Sequence, residues 1–178
     1  IQAVYPLKYE ETVKIDDQKI TIRPAKPVDE RRLQEHFYNL DKNDILSRFF
    51  HKKTSFIRDD VASMFQIDYA KEMTIVAMIG ELGFGKIIAV GGYVLDERRN
   101  LAEVAFSVTR EWKRKGLSKL ILHKLAEVAK DSGIEGLVAY TSLHNKPMIG
   151  LFRTLPYKVK LTAEEKMVDL VCRFDEPL

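Results

Sequence analysis

LAEVAFSVTREWKRKGLS, residues Leu101 to Ser118, reads as a strand, a tight basic turn and the opening turn of a helix. Val104, Ala105, Phe106 and Val108 make an apolar run of strand length. Lys113, Arg114, Lys115 and Gly116 follow, and then Leu117, Leu120, Ile121, Leu125 and Val128 recur at helical spacing. A helix N-terminus presents unpaired backbone N–H groups and a partial positive charge. Entered through a basic, glycine-containing turn, such an end is suited to a phosphate or pyrophosphate. Glu103 lies inside the preceding strand among apolar neighbours, where desolvation would raise a carboxyl pKa and fit it for general-base work. An anion cradle beside a candidate base points to chemistry on a phosphate-bearing cofactor. Two plainer readings stay open: a solvated basic turn, and a strand glutamate that is exposed or paired with Arg98, Arg99 or Arg110.

Outward from this stretch, the helix from Gly116 runs to about Ser132, with Lys124 set into its apolar stripe and Gly133 as its stop. A long side chain in such a stripe is expected to snorkel to solvent. Gly136–Ser142 reads as a strand and Lys146–Thr154 as a helix with Pro147 in its first turn. Tyr157–Leu161 and Lys166–Phe174 read as a closing antiparallel pair. Upstream, Thr12–Ile15 and Ile20–Arg23 flank a hairpin turn. Pro24 and Pro27 break the second strand, and a helix starts near Asp29 with Leu33, Phe37 and Leu40 on one face. His36 shares that face and reads as a packed side chain. A short helix is predicted over Arg58–Gln66. Met73–Ile79 and Lys86–Leu95 are strands joined by Gly80–Gly85. That loop imitates a nucleotide P-loop, but Ile87 stands where Ser or Thr would hold Mg²⁺, and a strand follows where a helix is required. Strands first, then helix–strand–helix–strands, give an α+β fold with a mixed, mostly antiparallel sheet flanked by helices.

Composition sets the bounds. The chain has 178 residues, 46% apolar and 31% charged, as expected of one globular domain with a sizeable core. No segment reaches the roughly 18 apolar residues of a membrane span. Cys172 is the only cysteine, so a disulfide scaffold is excluded and a reducing cytoplasm is the expected setting. The four histidines (His36, His51, His123, His144) show no metal-ligand spacing. A net charge of +3 is too mild for a nucleic-acid stripe, despite Arg31, Arg32, Arg98, Arg99 and the Lys113 cluster. The chain opens on Ile1 rather than Met, as expected of a processed or excised domain. Residues 1–19 read as a lead-in and 20–178 as a single domain.

The strand–turn–helix stretch resembles the cofactor motif of the GNAT superfamily of acyl-CoA-dependent N-acetyltransferases. That motif has Gln or Arg, two residues, Gly, any residue, then Gly or Ala. Lys113, Gly116 and Ser118 occupy the matching positions, the first and last as departures. Ile20–Phe37 is similar to the family's first strand and helix, Leu143–Tyr157 to its late helix, and the likeness extends over Ile20–Phe174. SRFFHKK (Ser47–Lys53) and AEVAF (Ala102–Phe106) most resemble the subgroup fused to acyl-CoA synthetases or CoA-transferases, several of which acetylate protein lysines.

The resemblance implies an enzyme that transfers acetyl from acetyl-CoA to an amine, with a protein lysine as acceptor. Glu103 becomes the general base. Phe106, Ser107 and Val108 would pair with the pantetheine arm as an added strand. The N–H groups from Arg114 to Ser118, Leu117 included, would hold the pyrophosphate, assisted by Lys113, Lys115 and Lys119. Asn145 would touch the cofactor. Phe152 stands in the cofactor wall where the family often has a tyrosine acid, and Pro156 replaces a usual Gly. Tyr140 and Tyr157 are the substitutes for that acid. The main rival is a non-catalytic acyl-CoA-sensing module of a larger CoA-handling enzyme. Neither a metal, a nucleic acid nor a membrane enters this reading.

Overall fold

Central strands buried along nearly their whole length and more exposed edge strands build one sheet, and one amphipathic helix packs over its main core. A computed structural model of the chain describes residues 6–38, 71–80 and 85–178. The SRFFHKK stretch with His51, the helix expected over Arg58–Gln66 and the centre of the Gly80–Gly85 loop lie outside the described residues.

The strands are β1 (Glu11–Ile15), β2 (Gln18–Pro24), β3 (Glu72–Ile79), β4 (Lys86–Asp96), β5 (Leu101–Val108), β6 (Gly136–Ser142), β7 (Tyr157–Glu164) and β8 (Met167–Pro177). The helices are α1 (Glu30–Tyr38), α2 (Leu117–Asp131) and α3 (Lys146–Phe152). The eight strands form one sheet in the order β1-β2-β3-β4-β5-β6-β8-β7. Every neighbouring pair is antiparallel except β5 and β6, which the crossover through α2 makes parallel. The expected α+β class and mostly antiparallel sheet are therefore what the chain forms.

Local chemistry explains the elements. Asp16 and Asp17 both take positive φ, 51° and 62°, which gives the two-residue hairpin between β1 and β2 the twist its strands require. Residues 11–15 thus join the sheet as its edge strand. Pro27–Asp29 makes a 3₁₀ turn before α1. Asp29, fully buried, accepts two guanidinium N–H bonds from Arg23 at 2.7 Å each and a third from the backbone of Lys26. This network anchors α1 to β2.

The main core lies between the sheet and α2. Leu117, Ile121, Leu122, Leu125 and Val128 are buried against Ile75, Ala89, Phe106 and Leu137. Each such aliphatic side chain contributes about 1.5–3 kcal/mol when fully buried. Gly91 permits the close approach of helix to sheet: a Cβ there would stand 2.2 Å from Ile121 Cγ2 and 2.9 Å from Phe106 Cδ1. Lys124 does not snorkel into water as expected. It is buried and its ammonium pairs with Glu11 on β1 at 3.1 Å. Cys172 fills the core, and burial pushes its thiol pKa up to about 11.

Candidate functional site

β5 and β6 begin side by side and then part. Their parallel ladder joins only Leu101–Glu103 to Gly136–Val138. Over the same length β5 stays paired with β4 to Val108, and β6 stays paired with β8 to Ser142. From Val104 onward the β6-facing edge of β5 therefore has no ladder partner in β6, and its backbone groups need one. A cavity of about 640 Å³ opens at this fork. That is the size of a small-molecule site, commonly about 300–1,000 Å³. Phe106, Ser107 and Val108, the residues the resemblance assigns to the cofactor, form one wall.

The turn Lys113–Gly116 and the start of α2 close one end. Lys113 is extended, Arg114 takes φ 64° and Gly116 φ 87°, so the chain reverses into the helix through two left-handed residues. Gly116 is the N-cap and has no side chain to accept a helix N–H. The N–H groups of Leu117, Ser118 and Lys119 are thus not taken by a capping side chain, and no acid lies in the first turn. These are the requirements of an anion site, and all three residues line the cavity together with Lys113 and Arg114. Ser118 sits within the first turn rather than capping it.

Lys115 departs from the expected cradle. Its ammonium pairs with Asp16 in the β1–β2 hairpin and lies 5.6 Å from the Trp112 ring centroid, and it does not line the cavity. Phe152 requires the same correction. It is fully buried in the main core and contributes no cavity wall, because α3 turns that position toward the sheet. Tyr140 is 58% exposed and Tyr157 packs its ring against Phe174 at 5.3 Å; neither lines the cavity.

The opposite wall belongs to α3 and its cap. Asn145 lines the cavity while its Oδ1 accepts the Met148 N–H at 3.2 Å and its Nδ2 donates to Thr141 at 2.8 Å. It is at once an N-cap and a wall residue. Pro147, Gly150, Leu151 and Thr154 line the cavity too, and sequence reasoning missed them. Their helical spacing after Asn145 was the available signal. Trp112 was also missed, although it is the only tryptophan and lies inside the deciding stretch.

The two faces of β5 separate two tasks. Ala102, Val104 and Phe106 point into the core under α2. Glu103, Ala105 and Ser107 alternate onto the other face, where Leu33 of α1 packs near Ala105. Glu103 is exposed there, so the desolvated carboxylate anticipated from its apolar neighbours is not what forms. Arg99 instead pairs with Asp96 and Asp169 at 2.9 and 3.0 Å, and no ion pair joins Glu103 to Arg98, Arg99 or Arg110 among the described residues. Four residues along the same face, the Ser107 hydroxyl meets His36 Nε2 of α1 at 3.0 Å, both side chains buried. Burial drives the His36 pKa down to about 4.

Among the described residues no helix is long and apolar enough to cross a membrane, and no group of three or more His, Cys, Asp or Glu side chains is placed to hold a metal. The model of the acetyltransferase (GNAT) family matches residues 35–155. An acetyltransferase of Pseudomonas aeruginosa is 22% identical over 133 residues, covering 75% of this chain and 72% of that protein. The GNAT domain of S. lividans PAT superposes with a TM-score of 0.73 at 23% identity, over 96% of this chain and 100% of that one. A RimL ribosomal-protein alpha-N-acetyltransferase in complex with coenzyme A superposes with a TM-score of 0.61 at 10% identity, over 92% and 97%. The sheet order and flanking helices described above are the fold of these structures.

Proposed function

The chain belongs to the acetyltransferase (GNAT) family, whose members move an acyl group from acyl-CoA to an amine, and we propose that its acceptor is a lysine ε-amine on a protein. The observation that carries the acyl-CoA part of this reading is the continuity of one cavity, from the edge of β5 that β6 leaves to the uncapped start of α2. A pantetheine arm needs backbone partners in extended conformation, and a pyrophosphate needs converging N–H groups. Residues that can supply both line the one cavity.

In the proposed reaction Phe106, Ser107 and Val108 offer backbone groups to the pantetheine arm. Leu117, Ser118 and Lys119 donate their N–H groups to the pyrophosphate, and Lys113 and Arg114 add positive charge. Acetyl-CoA supplies a thioester whose thiol has an ordinary pKa of about 8.5, so it leaves readily. A lysine amine, with a pKa of about 10.4, must first lose a proton. Glu103, exposed to solvent on the face of β5 away from α2, takes that proton directly or through a water. The nitrogen then attacks the thioester carbonyl within a ternary complex; the C–N bond forms, the C–S bond breaks, and no acyl-enzyme is made. The lysine acceptor, a fused CoA-handling partner and a cytoplasmic setting rest on the likeness of SRFFHKK and AEVAF to the fused subgroup. Residues 20–178 act as one catalytic domain behind the lead-in 1–19.

Two observations favour a second reading, a module that binds acyl-CoA without turning it over. Among the described residues no tyrosine lines the cavity, and Glu103 is exposed. Incubation with acetyl-CoA and lysate proteins separates the two. Acetyl-lysine together with free CoA supports the transferase; saturable CoA binding with neither product supports the sensor.

A further inference from the structure

Three ties join the lead-in to α2, and they follow the helix from end to end. At its last residue, Asp131 accepts the Tyr9 hydroxyl proton at 2.6 Å and pairs with Lys8 at 3.4 Å. Near its middle, the Lys124 ammonium meets Glu11 at 3.1 Å. Just ahead of its N-cap Gly116, the Lys115 ammonium meets Asp16. The partners descend from 131 to 115 as the lead-in ascends from 8 to 16, so the two segments run in opposite directions. The β1–β2 ladder uses backbone groups alone, so the edge strand does not need these side chains to hold its place in the sheet.

The last tie lands on a turn that is strained. Arg114 takes φ 64°, a left-handed conformation that a residue with a Cβ disfavours. Such a residue persists where its surroundings over-determine it. Lys115, the next residue, is fixed at its far end: its ammonium meets Asp16 and lies 5.6 Å from the Trp112 ring centroid. Asp16 is in turn held by a tight two-residue hairpin, at φ 51°. Arg114 and Gly116, on either side of Lys115, both line the cavity, whereas Lys115 and Asp16 do not.

We propose that Asp16 and Lys115 are positioning residues for the pyrophosphate of coenzyme A. The pair holds the Lys113–Gly116 turn in the left-handed form that presents the N–H groups of Leu117, Ser118 and Lys119 to the cavity. The inference rests on the acyl-CoA reading of that cavity and adds the element that preorganises its anion end. A turn already in its bound shape spares the ordering cost that binding would otherwise carry. Repulsion makes the opposite demand. A carboxylate close to an anion site weakens binding by Coulomb's law, and an unpaired Lys115 would be free to add its charge to the site. Positioning and repulsion by Asp16 therefore differ in sign.

The test is calorimetric titration of the full chain with coenzyme A, beside initial rates with acetyl-CoA and with S-acetylpantetheine, which lacks the pyrophosphate. Asp16→Asn removes the charge and keeps a residue suited to a left-handed hairpin turn. It is expected to raise Kd for coenzyme A about two- to fivefold, the range of one exposed ion pair. KM for acetyl-CoA should rise with it, while kcat, and kcat/KM for S-acetylpantetheine, stay unchanged. Lys115→Gln should also weaken coenzyme A binding, and adding Asp16→Asn to it should cost nothing more. Tyr9→Phe cuts the tie at the far end of α2; it should lower Tm by about 2–4 °C and leave Kd unchanged. Tighter or unaltered coenzyme A binding in Asp16→Asn, an equal loss with S-acetylpantetheine, or an equal loss in Tyr9→Phe overturns the proposal while leaving the acyl-CoA reading intact. A wild-type chain that does not bind coenzyme A removes the reading beneath it as well.

Discussion

Replacing Gly116 by alanine isolates the backbone contribution to anion binding. Gly116 holds φ 87° and ψ 5° at the N-cap of α2, and a Cβ built there meets nothing within 4 Å. The substitution therefore carries no steric clash, only the cost of a left-handed conformation for an L-residue, about 1–2 kcal/mol. The turn can keep its shape and lose stability, or relax and rotate the N–H groups of Leu117 and Ser118 out of convergence. Coenzyme A binding selects the first shape, so the strain appears in the affinity: Kd should rise about 5- to 30-fold, the equivalent of 1–2 kcal/mol. Gly133 provides the comparison. It has φ 81°, equally open space around its missing Cβ, and lies past the other end of the same helix, away from the cavity. Gly133→Ala should lower Tm by about 2–4 °C per kcal/mol and leave coenzyme A affinity untouched. Calorimetric titration beside thermal melts of both variants gives the answer. Equal loss of affinity in the two, or a lowered Tm with unaltered affinity in Gly116→Ala, would refute the reasoning.

Glu103→Gln should reduce kcat by about a hundredfold, in the range of general-base contributions, with unchanged coenzyme A affinity; full kcat across pH would remove the base assignment. His36 makes stability depend on pH. Its imidazole stays neutral in the folded chain down to about pH 4 but protonates near 6.5 when unfolded, so between those values the unfolded state binds the extra proton. Stability is then full above about pH 6.5 and falls as pH drops toward 4, by up to about 3 kcal/mol, and denaturant melts of His36→Gln should lack that component. Phe152→Tyr should not restore a tyrosine acid: the ring lies in the core, so the new hydroxyl should destabilise the chain by about 1–3 kcal/mol in urea melts without raising kcat.

The deciding stretch was legible because its signals are local. An apolar run, a basic turn with one glycine and a helical stripe each act over a few residues, and the chain enters α2 through that glycine at positive φ. The cavity's shape was not legible, because it depends on where the β5–β6 ladder stops, and that is set by what β6 pairs with on its other side. Phe106, Ser107 and Val108 entered the cavity wall through resemblance, since backbone recognition leaves no mark on side-chain identity. Long-range partners explain the misses. Lys115 belongs to the basic run in sequence, yet it pairs with Asp16, and Lys124 pairs with Glu11 on the edge strand. Phe152 enters by likeness to a family position and Tyr140 as a substitute for the acid missing there, while burial of the one and exposure of the other decide their roles. The solvent exposure of Glu103 could not be read from its apolar sequence neighbours, because alternate residues of β5 face opposite sides of the sheet.

The most direct test uses the chain's single tryptophan, which stands in the cavity wall. Trp112 emission should change saturably as coenzyme A is added, with one equivalent bound, and Lys113→Glu should weaken the response. Emission that stays flat while calorimetry records coenzyme A binding would put the cofactor elsewhere and contradict the account.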